Sequence, residues 1–314
     1  MNIVFMGTPD FAVHTLIAVC ESGYKVTGVV TQPDRPKGRK QEITPGPVAA
    51  EALRRGLPLY QPEKIRKNPE ALQRISEMGP DLIVVAAFGQ IIPKEILDLP
   101  RFGCFNVHAS LLPAYRGAAP IQHAILDGLK ETGVTIMRMN EGLDTGDIVS
   151  VKKVPVSADE TGGSLFDKLA QCGAELLAGT LPAIFSGEAV FTPQPEESTT
   201  PYASMIRKED GHIDWTRSAG EIERLIRAMN PWPSAWTTLD GRNIKIWSAH
   251  IEKPDMKGKE EETGRIVRQD ARFLYIQTGC GILVPDELQM EGRKRMPVRE
   301  FLKGYTVRNP QLGG

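Results

Sequence analysis

The chain has 314 residues, 41% hydrophobic and 25% charged, the composition of an ordinary globular protein with about two domains. Lys plus Arg number 38 against 39 Asp plus Glu, a formal net charge of −1. That excludes a uniformly basic nucleic-acid coat protein but leaves a local basic patch open, because net charge averages over faces. No run approaches the roughly 18 apolar residues of a membrane helix, and the start MNIVFMGTPDF lacks a basic region before an apolar run, so neither a membrane span nor a signal peptide is expected. Cys20, Cys104, Cys172 and Cys280 lie far apart without a CxxC pair, which predicts buried thiols in a reducing cytoplasm and no zinc site.

In chain order, residues 2–5 form a short apolar strand run. Thr8 then suits a helix N-cap and Pro9 the first turn. Phe11, Ala12, Val13, Leu16, Ile17, Val19 and Cys20 follow at helical spacing. Residues 26–30 read as a second strand. The polar loop 32–47 carries Arg35, Lys37, Arg39 and Lys40, and its prolines and glycines predict irregular backbone. Residues 48–55 and 69–78 read as helices. The run DLIVVAA (81–87) is the clearest strand, apolar on both faces as a parallel sheet requires. Residues 103–107 and 134–139 are further strands, and 165–185 is a long amphipathic helix. This alternation predicts a doubly wound α/β sheet.

The texture then changes. FTPQPEESTTP (191–201) reads as a linker. Beyond it come one helix, 219–229, and short β-like runs at 236–239, 244–251, 264–268, 273–277 and 281–285, punctuated by Asp240-Gly241 and Gly279. That spacing fits a small β-barrel. The expected domains are therefore 1–189 and 205–314, joined by 190–204. Residues 205–314 carry 19 basic and 16 acidic residues, or +3, which leaves −4 for residues 1–204.

Several chemistries lack their motifs. Gly7-Thr8-Pro9-Asp10-Phe11 is not GxGxxG, and neither GxxxxGK[ST] nor GxSxG occurs. His14, His108, His123, His212 and His250 form no HExxH pairing, so no metal is expected. One constellation does carry chemistry. Asn106 and His108 are two apart on a strand, so both point to one face. Asp144 follows in the glycine-rich loop 140–147. Amide, imidazole and carboxylate are the parts of an acyl transfer by direct attack of an amine, with no Ser or Cys nucleophile beside a base. The spacing alone equally fits a structural histidine and a turn-forming aspartate.

At these residues a resemblance appears. NVHASLLPAYRGAAPIQ (106–122) with GLDTGDI (142–148) resembles the signature of the 10-formyltetrahydrofolate-dependent formyltransferases. Residues 1–185 are similar to that family's shared Rossmann-like domain, and the C-terminal part to its OB-like barrel. VFMGTPDFAV, TQPDRPKGRK and GAAPIQ resemble the branch whose acceptor is initiator methionyl-tRNA. The resemblance implies catalytic roles for Asn106, His108 and Asp144, and 10-formyltetrahydrofolate as co-substrate. It implies folate contacts at Ser110, Leu111, Leu112, Pro113, Phe88, Gly89 and Ile91. For the tRNA it implies contacts at Arg35, Lys37, Arg39 and Lys40, where four cations can neutralise phosphates, and at Lys208, Arg293, Lys294 and Arg295. Gln41-Glu42 depart from the basic or apolar continuation common in the family.

A monomer is expected, with the 32–47 loop mobile in the absence of RNA. Trp232, in Asn230-Pro231-Trp232-Pro233, suits a packed corner better than a base-stacking platform. Two other readings stand beside this one. A formyltransferase of the same fold acting on a small amine shares the three catalytic residues but needs no basic loop. A non-catalytic RNA-binding protein needs none of the three.

Overall fold

The computed structural model describes residues 1–37, 42–257 and 262–313. The chain divides into two compact units. The first comprises Met1–Pro120, Glu131–Pro155 and Phe166–Ala203, and the second Ile121–Lys130, Val156–Leu165 and Ser204–Gly314.

The first unit contains β1 (Asn2–Gly7), α1 (Asp10–Glu21), β2 (Lys25–Val30), β3 (Arg35–Lys37), β4 (Glu42–Thr44), α2 (Pro47–Arg54), β5 (Leu59–Tyr60), α3 (Pro69–Glu77), β6 (Leu82–Ala86), α4 (Lys94–Leu97) and β7 (Cys104–His108). After the short α5 (Pro120–Leu126), most of which belongs to the second unit, it resumes with β8 (Glu131–Arg138) and β9 (Ile148–Pro155), and then α6 (Gly162–Ser186).

Seven strands form one sheet in the order β5-β2-β1-β6-β7-β8-β9. The first five run parallel, and β8 and β9 extend the edge antiparallel. Every residue of β6 is buried, as a strand covered on both faces must be. Val4, Met6, Ile83 and Val85 pack in one cluster with Ile75 of α3 and Ile96 of α4. Each such side chain contributes about 1.5–3 kcal/mol by burial. Asn68 caps α3, its side-chain oxygen accepting from Ala71 N–H at 3.1 Å. α6 buries Leu169, Leu177, Leu181 and Ile184, one face of a 3.6-residue repeat. The chain leaves β1 toward β2 on one side and later returns to β6 on the other. Such a reversal of strand order places ligand sites at the carboxyl ends of the strands.

The second unit contains α7 (Ala219–Ala228), β10 (Ala235–Leu239), β11 (Arg242–Lys257), β12 (Ile266–Gln269), β13 (Leu274–Gln277), β14 (Cys280–Met290), β15 (Met296–Pro297) and α8 (Val298–Gly304). Ser218 and Glu221 form a capping box at the start of α7. The strands pair in the order β10-β11-β14-β13-β12, with β15 on β14. The C-terminal segment closes this sheet. Leu312 bridges Leu239 at the end of β10, and Gln311 bridges Arg265 beside β12. Ile266 N–H donates to Pro310 O at 2.7 Å and Leu312 N–H to Gly264 O at 2.8 Å. Inside lie Trp215, Ile222, Ile226, Ile246, Ile276, Leu288 and Phe301. Closure leaves few open edges, the usual solution for a small antiparallel barrel.

Four local expectations change. Thr8 does not cap α1: Pro9 holds that position, and the Thr8 hydroxyl donates to Phe88 O at 3.0 Å. That bond ties the loop after β1 to the loop after β6. The 32–47 loop is not wholly irregular, since β3 and β4 pair antiparallel with Pro36 opposite Ile43. Proline is tolerated there because a two-stranded ribbon leaves one side of each strand unpaired. Arg39 and Lys40 lie outside the described residues. β5, β9, α4, α5 and α8 add to the expected elements, and β14 runs on to Met290. Finally, Trp232 is no packed corner, for its side chain is 60% exposed.

Candidate active site

β7 brings Asn106 and His108 to the carboxyl end of the parallel strands, with Asn106 half-buried and His108 only 6% exposed. Among the described residues, the Asn106 side-chain amide has no protein hydrogen-bond partner, which leaves both its N–H groups available. His108 Nε2 lies 3.0 Å from Tyr115 O. A carbonyl only accepts, so Nε2 carries a proton and Nδ1 is the nitrogen left for chemistry. Nδ1 faces Asp144 Oδ1 at 3.7 Å, too far for a direct hydrogen bond. The backbone carbonyl of Tyr115, and not the carboxylate, therefore orients the ring. Asp144 is fixed from its other oxygen, where Gly117 N–H donates to Oδ2 at 2.9 Å. His108 and Asp144 thus face one another at 3.7 Å, with Asn106 two residues before His108 on the same face of β7.

The turn between His108 and Gly117 is held from inside. Ser110 is fully buried, and its hydroxyl donates to Ala114 O at 2.6 Å. Thr135 Oγ1 accepts from Leu112 N–H at 3.1 Å and donates to Ser110 O at 2.7 Å. The Leu112–Pro113 peptide is cis. Ser110 and Leu112 thereby serve the turn that aims His108, while Leu111 and Pro113 are only partly buried. Gly117 has φ +130°, and a Cβ there would meet Ala203 O at 2.5 Å, so only glycine fits the approach.

A cleft of about 660 Å³ adjoins the Asp144 loop. It is lined by Ile65, Leu72, Ile91, Ile92, Lys94 and Leu143, among others. Ile91 and Leu143 are more than half exposed, 56% and 57%, and so present apolar surface to the cleft. Lys94 sits at the cleft between Asp98 at 3.1 Å and Glu141 at 3.6 Å. Phe88 is instead a core residue, 2% exposed, and Gly89 with φ +79° turns the chain beside it. Burial pushes the Cys104 thiol up to about 12, so this cysteine of β7 supplies no nucleophile. Among the described residues no group of three or more His, Cys, Asp or Glu is arranged to hold a metal ion, and no helix is long and apolar enough to cross a membrane.

Residues that the sequence did not single out complete the site. Arg116 is 6% exposed and binds Gln194, Pro195 and Glu196. Ser198 donates to Pro113 O and Tyr115 N–H to Thr200 Oγ1, both at 2.7 Å. The stretch expected to link the domains therefore lies along the catalytic turn. Arg116 stood within the quoted motif, but Gln194, Ser198 and Thr200 have no local signal because their partners are about 80 residues away.

Of the basic residues, Arg35 is exposed on β3. Lys37 ends that strand. On the second unit Arg293 and Lys294 are exposed in the turn after β14. Arg295 pairs with Glu287 and stacks over Trp247 at 4.9 Å, and Lys245 approaches the same ring at 5.6 Å. The turn bearing Trp232 adjoins this patch, because Asn230 donates to Trp247 O at 3.1 Å and Lys245 Nζ to Ser234 Oγ at 3.3 Å. Lys208 is exposed elsewhere in the chain, its carbonyl accepting from Trp236 Nε1 at 3.2 Å.

Known proteins match this architecture. The formyl transferase family model matches residues 1–181, and the model of the formyl transferase C-terminal domain matches residues 205–306. A methionyl-tRNA formyltransferase of Agathobacter rectalis is 51% identical over 98% of this chain and 97% of its own. Its counterpart in Bacillus subtilis is 49% identical over 98% of this chain and 95% of its own. Among solved structures, an N-formyltransferase from Helicobacter canadensis, in complex with folinic acid and dTDP-3-aminofucose, superposes with a TM-score of 0.64. It covers 92% of this chain and 98% of its own at 18% identity, which speaks for the fold alone. With a family model spanning more than half its length and relatives at about half identity end to end, the chain belongs to the formyl transferase family.

Proposed function

We propose that the chain transfers the formyl group of 10-formyltetrahydrofolate to the α-amine of methionine esterified to initiator tRNA, acting as a cytoplasmic monomer. The observation that carries this reading is the convergence of Asn106, His108 and Asp144 in a chain about 50% identical, end to end, to methionyl-tRNA formyltransferases. The partly apolar cleft beside Asp144, with Ile91, Leu143 and Lys94, suits a flat ring system with a polar tail.

Asn106 donates to the formyl oxygen as it gains negative charge, and His108, protonated at Nδ1, adds a second donor. Asp144 takes up the proton that the attacking amine sheds as its bond to the formyl carbon forms, and the proton returns to the folate nitrogen as the bond from that nitrogen to the formyl carbon breaks. Alignment of the two reactants contributes the larger share, since oriented groups gain about 7–11 kcal/mol over free encounter. We assign the domains as 1–189 and 205–314, with 190–204 between them. Arg35, Lys37, Arg39 and Lys40 meet tRNA phosphates from the first, and Lys208, Arg293, Lys294 and Arg295 from the second. Trp232, exposed on the turn whose Asn230 and Ser234 bond Trp247 O and Lys245, offers a stacking surface to an unpaired base.

Formyl transfer measured with charged initiator tRNA beside a panel of amino sugars and small amines tests the assignment. Transfer to the tRNA is expected, and preferential transfer to a small amine would overturn the choice of acceptor.

A further inference from the structure

Asp144 sits in the left-handed region at φ +54°, between Gly142 and Gly146. Glycines on both sides leave such a loop soft, yet its carboxylate must stay opposite His108 Nδ1. Within the loop, Asn140 Oδ1 accepts from Gly142 N–H and from the Thr145 hydroxyl. From outside the loop, Gln194 Nε2 donates to Asp144 O at 3.0 Å and to Gly146 O at 2.6 Å. One side-chain amide thereby pins the backbone at Asp144 and again two residues beyond it.

The orientation of that amide is chemically forced. Its oxygen faces Arg116, whose Nε lies at 3.2 Å and Nη2 at 3.0 Å. A guanidinium only donates, and the carbonyls of Asp144 and Gly146 only accept, so the amide fits in one sense alone. Arg116 is itself immobilised by Pro195 O at 2.7 Å and Glu196 O at 2.9 Å. The next residue, Gly117, donates its N–H to the Asp144 carboxylate. Backbone and carboxylate of Asp144 are thus fixed from one place.

We propose that Gln194 is a positioning residue of the transfer reaction, acting through Asp144, with Arg116 as the post that holds it. This rests on the formyl-transfer reading above. The role goes beyond packing because the two ends of the amide do separate jobs. The oxygen secures Arg116, and the N–H groups set the Asp144 loop.

Gln194→Glu separates these jobs. It keeps an acceptor for Arg116 and loses both donors toward Asp144 O and Gly146 O. Thermal unfolding and steady-state formyl transfer to methionyl-tRNA are measured for the parent, Gln194→Glu and Gln194→Ala. Gln194→Glu is expected to melt several degrees below the parent yet remain folded, because its second carboxylate oxygen faces the carbonyls of Asp144 and Gly146. Its kcat should fall about 10–100-fold, the effect of displacing a reacting group by roughly 1 Å, while KM for each substrate stays within about twofold. The pH dependence of kcat should also change shape, because the carboxylate no longer holds a fixed distance from His108. Gln194→Ala should lose kcat similarly and melt lower, since Arg116 loses its partner too. A Gln194→Glu enzyme with parental kcat and pH profile overturns the proposal, as does a loss confined to KM. Should the glutamate variant not fold, Gln194→Met, which removes donors and acceptor together at similar volume, is expected to show the same fall of about 10–100-fold in kcat with unchanged KM, and parental kcat in it overturns the proposal. A parent that forms no formylmethionyl-tRNA would instead defeat the functional reading itself.

Discussion

Replacing Gly117 by alanine tests how tightly the catalytic turn is built. Gly117 combines φ +130° with a close backbone neighbour, and an added methyl would lie 2.5 Å from Ala203 O and 3.0 Å from Ala203 N. Ala203 cannot simply retreat. Its N–H donates to Arg116 O at 2.8 Å, and its carbonyl accepts from Ala118 and Ala119 N–H at 2.8 and 3.1 Å. The substitution therefore strains position 117 by roughly 1–3 kcal/mol and pushes its N–H away from Asp144. Losing that bond to a charged acceptor costs about 1.5–3 kcal/mol. If the second cost appears in the transition state, kcat falls roughly 10–150-fold at 1.36 kcal/mol per decade. The first appears as a lower melting temperature, about 2–4 °C per kcal/mol. Thermal unfolding and single-turnover formyl transfer read the two effects separately. Gly179→Ala provides the contrast, because a Cβ there, within α6, meets nothing inside 4 Å. It should stabilise by about 0.5–1 kcal/mol. A Gly117→Ala protein that matches the parent in both melting and kcat refutes the reasoning.

Other consequences can be checked in the same way. Asn106→Ala removes one donor from the developing oxyanion and should lower kcat about 100–1000-fold with the fold intact. Trp232→Ala should weaken tRNA binding by about 1–3 kcal/mol and leave KM for the folate unchanged; unaltered tRNA KM would remove Trp232 from the interface. Replacing Arg39 and Lys40 together by alanine should raise the tRNA KM and flatten its dependence on salt, as measuring the parent and the double variant across salt concentrations would reveal. Asp240 governs acid stability of the barrel closure. The Tyr305 hydroxyl, with the amides of Asn309 and Arg308, holds its carboxyl below the usual range. The stabilisation is therefore present above the unfolded value of about 3.9 and is lost as pH falls through the lower folded one. Asn tolerates the φ of +51° at this position. Asp240→Asn should accordingly melt below the parent at neutral pH, and the gap should close on acidification; a gap independent of pH would contradict this.

Much of the architecture was legible because it is written in local periodicity. The run 81–87 has no polar face and became the fully buried β6. Asn106 and His108, two apart, both lie on β7, with His108 facing Asp144. What the sequence concealed depends on distant partners. β9 is an edge strand with several exposed positions and no alternation to announce it. Thr8 looked like a helix cap until Phe88 O, 80 residues on, took its hydroxyl. No local pattern announces Gln311 and Leu312, which bridge Arg265 and Leu239 across the barrel sheet. Gln194 lay in a proline-rich stretch whose composition suggests a linker, and only the folded chain sets it against Asp144. Trp232, flanked by prolines, suggested burial but stands in solvent.

The central claim is that Asn106, His108 and Asp144 move a formyl group onto methionine carried by tRNA. Single-turnover transfer from 10-formyltetrahydrofolate to methionyl-initiator tRNA, run side by side for the parent and Asn106→Ala, tests it most directly. The account predicts formylmethionyl-tRNA from the parent and a rate about 100–1000-fold lower from the variant. Equal rates, or no formylmethionyl-tRNA from the parent, would contradict it.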